Sequence, residues 1–145
     1  TMTKIANAIE PMIPYKDILK NSIKTSARTN NDAIAISVAD TALNLDIKAI
    51  VCFTQSGNSA KRLAKFRPEA PIIAVCFDEV TQRSLLPTFG VFPYVSEIQN
   101  TPENDVNLAK TIAQGYGFNK GDQIVVVAGY PVGSGSTNMM RIVEI

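Results

Sequence analysis

Three short runs of uninterrupted apolar residues constrain the fold of this chain more than any other sequence feature. They lie in the segments 49–53, 71–76 and 123–128, the last of which opens with Gln123, and the first is bounded by the polar residues Lys48 and Thr54. Such runs are typical of strands buried on both faces. Helical segments are predicted between them, at residues 60–66, 79–86 and about 101–116. Continuous apolar strands separated by helices indicate a mostly parallel sheet covered on both sides.

The remaining segments complete a predicted sheet of about five strands. Residues 90–95 are predicted to form a third strand, and Pro93 suggests that this strand is short or lies near an edge. Residues 138–145 form a last strand, which must run antiparallel because the preceding loop is too short for a crossover helix. The predicted fold class is α/β: a three-layer α/β/α sandwich with a mixed, mostly parallel sheet. Residues 1–145 are expected to form one domain.

Helical segments are also predicted before the first strand. One spans residues 2–10 and is broken by the stretch 11–14, which contains two prolines. The polar residues 18–29 favour no element. A strong helix is predicted from caps at Asn30, Asn31 and Asp32 to about Leu45.

Composition narrows the range of functions. The 145 residues carry a formal net charge of +1 and are 46% hydrophobic, which predicts an ordinary globular protein that binds neither nucleic acid nor membrane. The absence of histidine excludes His-dependent catalysis and His-ligated zinc. Cys52 and Cys76 lie inside apolar runs, which suggests reduced, packed thiols. No apolar stretch is long enough to cross a membrane, and a cytoplasmic location is expected.

The turn after the first strand is the best candidate binding site. Free amide groups at a helix start, together with hydroxyl groups, are what a phosphate requires. A capped helix with a serine-rich turn and no ligand explains the same residues equally well. The turn lacks the Gly-Lys-Ser/Thr ending of a P-loop. The candidate residues are Thr54, Gln55, Ser56, Gly57, Asn58 and Ser59, with Asn58 or Ser59 expected to cap the helix.

A second candidate segment joins the last two strands. It combines backbone donors with hydroxyl groups where ligands commonly bind in open α/β sheets. The alternative is a glycine-rich hairpin turn. The candidate residues are Gly133, Ser134, Gly135, Ser136 and Thr137. The basic residues of the helix at 60–66 and its end, Lys61, Arg62, Lys65 and Arg67, are interpreted as a solvated face without a catalytic role.

Together the two segments carry a family resemblance. The chain resembles the C-terminal domain of pyruvate kinase, bacterial type, over essentially its whole length and in the correct order. The matching segments are TQSGNS at 54–59, KFRPEAPIIAV at 65–75, GD at 121–122 and GSGSTNMM at 133–140. The segments at 41–45 and 48–51 resemble the bacterial members in particular.

This resemblance implies an allosteric, effector-binding domain. The turn at 54–59 would hold the effector phosphate and the loop at 133–137 would close over it. Family effectors include fructose 1,6-bisphosphate, glucose 6-phosphate, ribose 5-phosphate and AMP. Asp105 stands where bisphosphate-activated relatives carry an arginine, and Asn58 where some carry a basic residue. A monophosphate is therefore the expected ligand.

The resemblance also implies a longer parent enzyme of glycolysis. That enzyme would transfer phosphate from phosphoenolpyruvate to ADP in a barrel that uses magnesium and potassium. Residues 1–29 would join the barrel to this domain, and a start at Thr1 suggests a piece of a longer protein. A complete barrel needs about 250 residues. We therefore expect no catalytic residue, metal or cofactor in this chain. Two alternatives remain: a stand-alone sugar-phosphate or nucleotide-binding module, and a domain that keeps only oligomer contacts.

The last predicted strand suggests assembly. Met139, Ile142 and Ile145 would form an apolar, unpaired edge that pairs with a second copy of the chain. Arg141 and Glu144 would add complementary contacts about a two-fold axis. Pyruvate kinase subunits commonly meet through this domain, so the resemblance implies a homo-oligomer. The alternative is that the first helix or the parent barrel covers this edge.

Overall fold

The protein folds around one mixed sheet of five strands in the order β3-β2-β1-β4-β5. The computed structural model describes residues 14–25, 29–88, 90–98, 101, 103–129 and 138–145. The strands are β1 (Ile47–Phe53), β2 (Ile72–Cys76), β3 (Val91–Val95), β4 (Gln123–Ala128) and β5 (Met139–Glu144). The helices are α1 (Tyr15–Thr25), α2 (Asn30–Asn44), α3 (Asn58–Lys65), α4 (Glu79–Leu85) and α5 (Asp105–Gly115).

Strand β1 lies at the centre of the sheet. It pairs in parallel with β2, with Ile50 opposite Ile72, and in parallel with β4, with Ile50 opposite Val125. Strand β3 extends the parallel part on one side. Strand β5 pairs antiparallel with β4 on the other. The predicted mixed sheet with an antiparallel last strand is confirmed.

Two apolar layers cover the faces of the sheet. On one face, Leu19 of α1, Val38 of α2, Leu63 of α3 and Leu85 of α4 pack against side chains such as Ile50. On the other face, Ala109, Ile112 and Ala113 of α5 pack against β1, β2 and β4. These layers make the three-layer sandwich that alternating strands and helices predict. No helix in the described part of the chain is long and apolar enough to span a membrane.

The helices differ from the sequence prediction mainly at their beginnings. Helix α1 lies where the polar sequence favoured no element, and its buried Leu19 joins the core. Helix α2 is capped by Thr29 and not by Asn30, Asn31 or Asp32, because the Asp32 N–H donates to Thr29 Oγ1 at 3.2 Å. The predicted helix at residues 2–10 lies outside the described residues.

Helix α5 begins later than predicted. It starts at Asp105 and not near Thr101. The intervening turn is closed by reciprocal hydrogen bonds, in which Thr101 N–H donates to Asn104 Oδ1 and Asn104 N–H donates to Thr101 Oγ1. A turn that satisfies its own backbone donors delays the first helical residue.

The two edge strands confirm part of the prediction and correct another part. Strand β3, which contains Pro93, is an edge, as is β5. The prediction that Met139, Ile142 and Ile145 form one apolar edge of β5 is wrong, because successive side chains of a strand point to opposite faces of the sheet. Met139 and Ile145 pack in the α5 layer, where Ile145 is buried. Ile142 lies on the opposite face and is 48% exposed.

Both cysteines are expected to be unreactive in the folded chain. Cys52 and Cys76 are buried free thiols, and burial raises the pKa of Cys52 to about 12 and also raises the pKa of Cys76. At pH 8 a thiol with that pKa is ionised in only about one molecule in ten thousand, and the thiolate is the nucleophile. A thiol reagent should label neither cysteine until guanidinium unfolds the chain.

The control for this experiment is Ser37→Cys, which adds a thiol at an exposed position of α2. That variant should label at once, with one equivalent. Rapid labelling of Cys52 or Cys76 in the native chain would contradict the packing described here.

Candidate functional site

The candidate turn lies at the carboxyl end of the central strand. The chain moves outward from β1 to β3 and returns to the other side of β1 as β4, so the strand order reverses between β1 and β4. Ligands in open α/β sheets bind at the carboxyl edge beside such a reversal. The turn at 54–59 follows β1 at this edge. The second candidate segment, Gly133 to Thr137, follows β4 and lies outside the described residues.

The first residue of the turn supports its shape. Thr54 is buried, and its N–H donates to Val75 O of the neighbouring strand at 2.9 Å. Its Oγ1 accepts the Gly57 N–H at 2.9 Å. The Thr54 hydroxyl oxygen is therefore engaged within the turn, and a ligand would meet this group as a donor.

The expected side-chain cap of α3 is absent. Gly57 occupies the position before the helix, with φ of 89°, and no side chain caps the helix there. The Asn58 N–H donates to Ser56 Oγ at 3.4 Å, and the predicted capping role of Asn58 or Ser59 is wrong. The start of α3 therefore relies on the turn itself, in which Thr54 and Ser56 accept the N–H groups of Gly57 and Asn58.

The backbone conformation and the close packing at position 57 both require a glycine. The φ of Gly57 lies in the left-handed region, which disfavours side chains. A Cβ at this position would also lie 3.3 Å from Leu85 Cδ2 and 3.5 Å from Thr81 Cγ2. The turn therefore packs directly against α4.

The surface of the turn is polar and carries no charged side chain. Gln55, Ser56 and Asn58 are exposed, and Ser59 is partly exposed. They present hydroxyl and amide groups at the start of α3, where the helix dipole favours an anion. The turn thus combines exposed polar side chains with the positive end of the α3 dipole.

One basic residue of α3 has a structural partner. Arg62 Nε lies 3.2 Å from Asp32 Oδ1, and the Asp32 side chain is only 7% exposed. The interpretation of this helix as a solvated face is therefore wrong for Arg62, which joins α3 to α2. Lys61 and Lys65 are exposed, as expected. Asp32 likewise serves this ion pair and does not cap α2.

Asp105 occupies a different environment from the one its sequence position suggested. It is 1% exposed at the start of α5, and Arg141 Nη1 of β5 lies 3.8 Å from its Oδ1. Its negative charge is therefore partly offset by Arg141. The expected repulsion of a second phosphate by Asp105 is correspondingly weaker than the sequence suggested.

A separate cavity of about 710 Å³ lies between β3 and α5. The rings of Tyr94 and Tyr116 meet edge to face there, with centroids 6.3 Å apart. Burial and the neighbouring Tyr94 raise the pKa of Tyr116. Among the described residues that line this cavity, Glu97 is the one charged side chain, so the cavity does not suit a phosphate. The sequence pattern did not reveal it, because its walls come from distant segments.

The described residues also show no group of three or more His, Cys, Asp or Glu side chains placed to hold a metal ion.

The geometry defines an α/β domain with a polar turn at the carboxyl edge of its sheet. The sequence model described as pyruvate kinase, alpha/beta domain, matches residues 32–143. The chain belongs to this family and corresponds to the pyruvate kinase C-terminal domain.

Individual relatives agree with this assignment. The chain is 44% identical to the pyruvate kinase of Geobacillus stearothermophilus over 144 residues, covering 98% of this chain and 24% of the relative. It is 42% identical to the pyruvate kinase of Staphylococcus epidermidis, covering 98% of this chain and 25% of the relative. With the enzyme of Lactococcus lactis it shares 42% identity, over 79% of this chain and 23% of the relative. The chain thus spans about a quarter of these relatives.

Substitution of Gly57 tests the turn geometry. Gly57→Ala should lower the free energy of unfolding by about 1–2 kcal/mol, because a side chain in the left-handed region is strained. The close contact with Leu85 adds to this cost. Chemical denaturation measures the change.

Gly115→Ala is the matched control. Gly115 lies at the end of α5, and nothing lies within 4 Å of a Cβ placed there. This substitution should cause no loss and a gain of up to about 1 kcal/mol, because alanine favours helix. Equal losses in both variants would contradict the described turn.

Proposed function

We propose that this chain is the effector-binding and subunit-contact domain of a pyruvate kinase. The observation that carries the proposal is the uncharged, donor-rich turn at 54–59, placed at the carboxyl end of the central strand in a domain of this family. The parent enzyme would transfer phosphate from phosphoenolpyruvate to ADP in glycolysis, in the cytoplasm.

The proposed ligand is a phosphorylated sugar or nucleotide with one phosphate at the turn. Ser56, Asn58 and Ser59 would supply polar groups, and the start of α3 would supply amide donors. Residues 133–137 would close over the ligand. With no basic side chain in the turn, binding depends on hydrogen bonds and the helix dipole, which favours glucose 6-phosphate, ribose 5-phosphate or AMP over a bisphosphate.

The chain itself is proposed to be inactive. Phosphoryl transfer requires metal ions and cationic groups that position the phosphates. In the proposed parent, the remaining three quarters of the enzyme would hold the magnesium and potassium and the reacting groups. This domain would act on catalysis only through its contacts with that part and with other subunits.

Calorimetry with the four effectors tests ligand binding. We expect glucose 6-phosphate, ribose 5-phosphate or AMP to bind more tightly than fructose 1,6-bisphosphate. Ser59→Asp should abolish binding without unfolding the chain, because it places a negative charge where the phosphate would lie.

Ser37→Asp is the control, since it adds the same charge at an exposed position of α2. It should leave the affinity unchanged. If no effector binds at millimolar concentration while circular dichroism shows an intact fold, the proposed effector role is wrong.

The proposed subunit contact is the outer edge of β5. This strand pairs with β4 on one side, and Ile142 is 48% exposed on the face opposite α5. Two such edges can pair antiparallel about a two-fold axis. Arg141 already pairs with Asp105 within the chain, so Glu144 of a second copy would compete for it.

Light scattering across a concentration series tests this contact. Ile142→Lys should shift the chain from dimer toward monomer, because a lysine on an edge strand opposes pairing. Leu45→Lys is the control, since Leu45 is similarly apolar and 44% exposed but lies at the end of α2. A chain that stays monomeric at high concentration, or a dimer equally sensitive to both substitutions, would contradict the proposed contact.

A further inference from the structure

Helix α4 holds the candidate turn through one hydroxyl group. Thr81 lies in the first turn of α4 and is 7% exposed. Its Oγ1 donates a hydrogen bond to Gln55 O at 3.0 Å, across 26 positions of the sequence. No local sequence motif predicts this contact, which connects the segment after β2 to the segment after β1.

The same threonine is itself held in place. Its N–H donates to Asp78 Oδ1 at 2.6 Å, and this bond lowers the pKa of Asp78. Its methyl group packs toward Gly57, as the distance of 3.5 Å to a Cβ at that position shows. Thr81 therefore meets the turn at two points, a carbonyl group and a glycine.

The bond to Gln55 also orients the next N–H group. A trans peptide is planar, so its C=O and N–H point in opposite directions. Because Gln55 O points toward Thr81, the Ser56 N–H points away from α4. Ser56 itself is exposed.

We propose that Thr81 is a positioning residue for the phosphate-binding turn. Its hydroxyl group fixes the peptide between Gln55 and Ser56, so that the Ser56 N–H is oriented as a donor to the ligand phosphate before the ligand arrives. This inference rests on the proposed function, because it assigns Thr81 a role in binding at that same turn. Thr81 acts through Gln55 and makes no contact with the ligand itself.

Two substitutions separate the hydroxyl group from the methyl group. Thr81→Val keeps the shape but leaves Gln55 O without its donor, and one lost hydrogen bond corresponds to about a tenfold change in an equilibrium. We expect about tenfold weaker binding of glucose 6-phosphate. Thr81→Ser keeps the hydroxyl group and should stay within about twofold of the wild type.

Thr111→Val is the matched control. The Thr111 hydroxyl also donates to a backbone carbonyl, that of Asn107 at 3.0 Å, but within α5. Its loss should leave binding unchanged. Thermal melts of the variants show whether each is folded under the binding conditions, and Thr81→Ala, which also lacks the hydroxyl group, replaces Thr81→Val if that variant does not fold.

Amide NMR spectra of the 145-residue chain supply a readout that does not need the ligand. Thr81→Val should shift the Ser56 and Gly57 amide signals, and Thr81→Ser should restore them. Titration with glucose 6-phosphate, and with inorganic phosphate as the minimal probe, then measures affinity in the same samples.

The outcomes are distinct. If Thr81→Val binds like the wild type, or if Thr81→Ser binds as weakly as a folded Thr81→Val, the positioning role of the hydroxyl group is overturned. If the wild type binds neither inorganic phosphate nor any of the four effectors, the proposed function fails. The ligand-free amide signals then decide separately whether Thr81 orients the turn: unshifted Ser56 and Gly57 signals overturn that orientation, and shifts restored in Thr81→Ser support it.

Discussion

Burial of the central strand is the constraint on which the rest of the structure depends. Residues 49–53 of β1 are buried on both faces, and parallel neighbours satisfy the backbone on both sides. A strand in this position cannot slip by one residue without moving every side chain to the opposite layer. Its fixed register therefore places Thr54 and the following turn at one defined point on the carboxyl edge. The core beneath the candidate site therefore sets its position.

Sequence patterns were sufficient to predict the central strands, but they predicted the peripheral elements of the fold less well. The apolar runs at 71–76 and 123–128 correspond to β2 and β4, because strands buried on both faces leave a continuous signal. Helix α1 gave no such signal, since its described side chains are mostly polar and Leu19 is its buried contact with the core. The sequence also did not separate the two faces of β5, because apolar residues occur on both faces and give no clear alternation.

The sequence was sufficient to select the residues of the candidate site, but it did not predict the contacts that shape the turn. The glycine and hydroxyl groups of residues 54–59 marked the turn, and the fold places that turn at the carboxyl edge of the sheet. The contacts that shape it come from elsewhere in the chain. Thr81 bonds to Gln55 from a separate helix, and Arg62 pairs with Asp32 across two helices. Pairings of this kind depend on the packed fold, and a single sequence carries no local pattern for them.

The Asp105 and Arg141 pair joins the edge strand β5 to helix α5. Arg141 lies on the edge strand β5, and Asp105 lies at the start of α5, which packs against the central strand. The segment 133–137, proposed to close over the effector, directly precedes β5 in the chain. A change in that segment would therefore act on the strand that is proposed to contact a second subunit.

Linkage makes this connection reciprocal. An effector that binds the dimer more tightly than the monomer must strengthen dimerisation by the same factor. Because β5 follows the proposed effector segment and supplies the proposed contact edge, a displacement of this one strand would alter both proposed sites. The proposed coupling needs no contact between the ligand and the second subunit, since the shared strand would carry the difference in free energy.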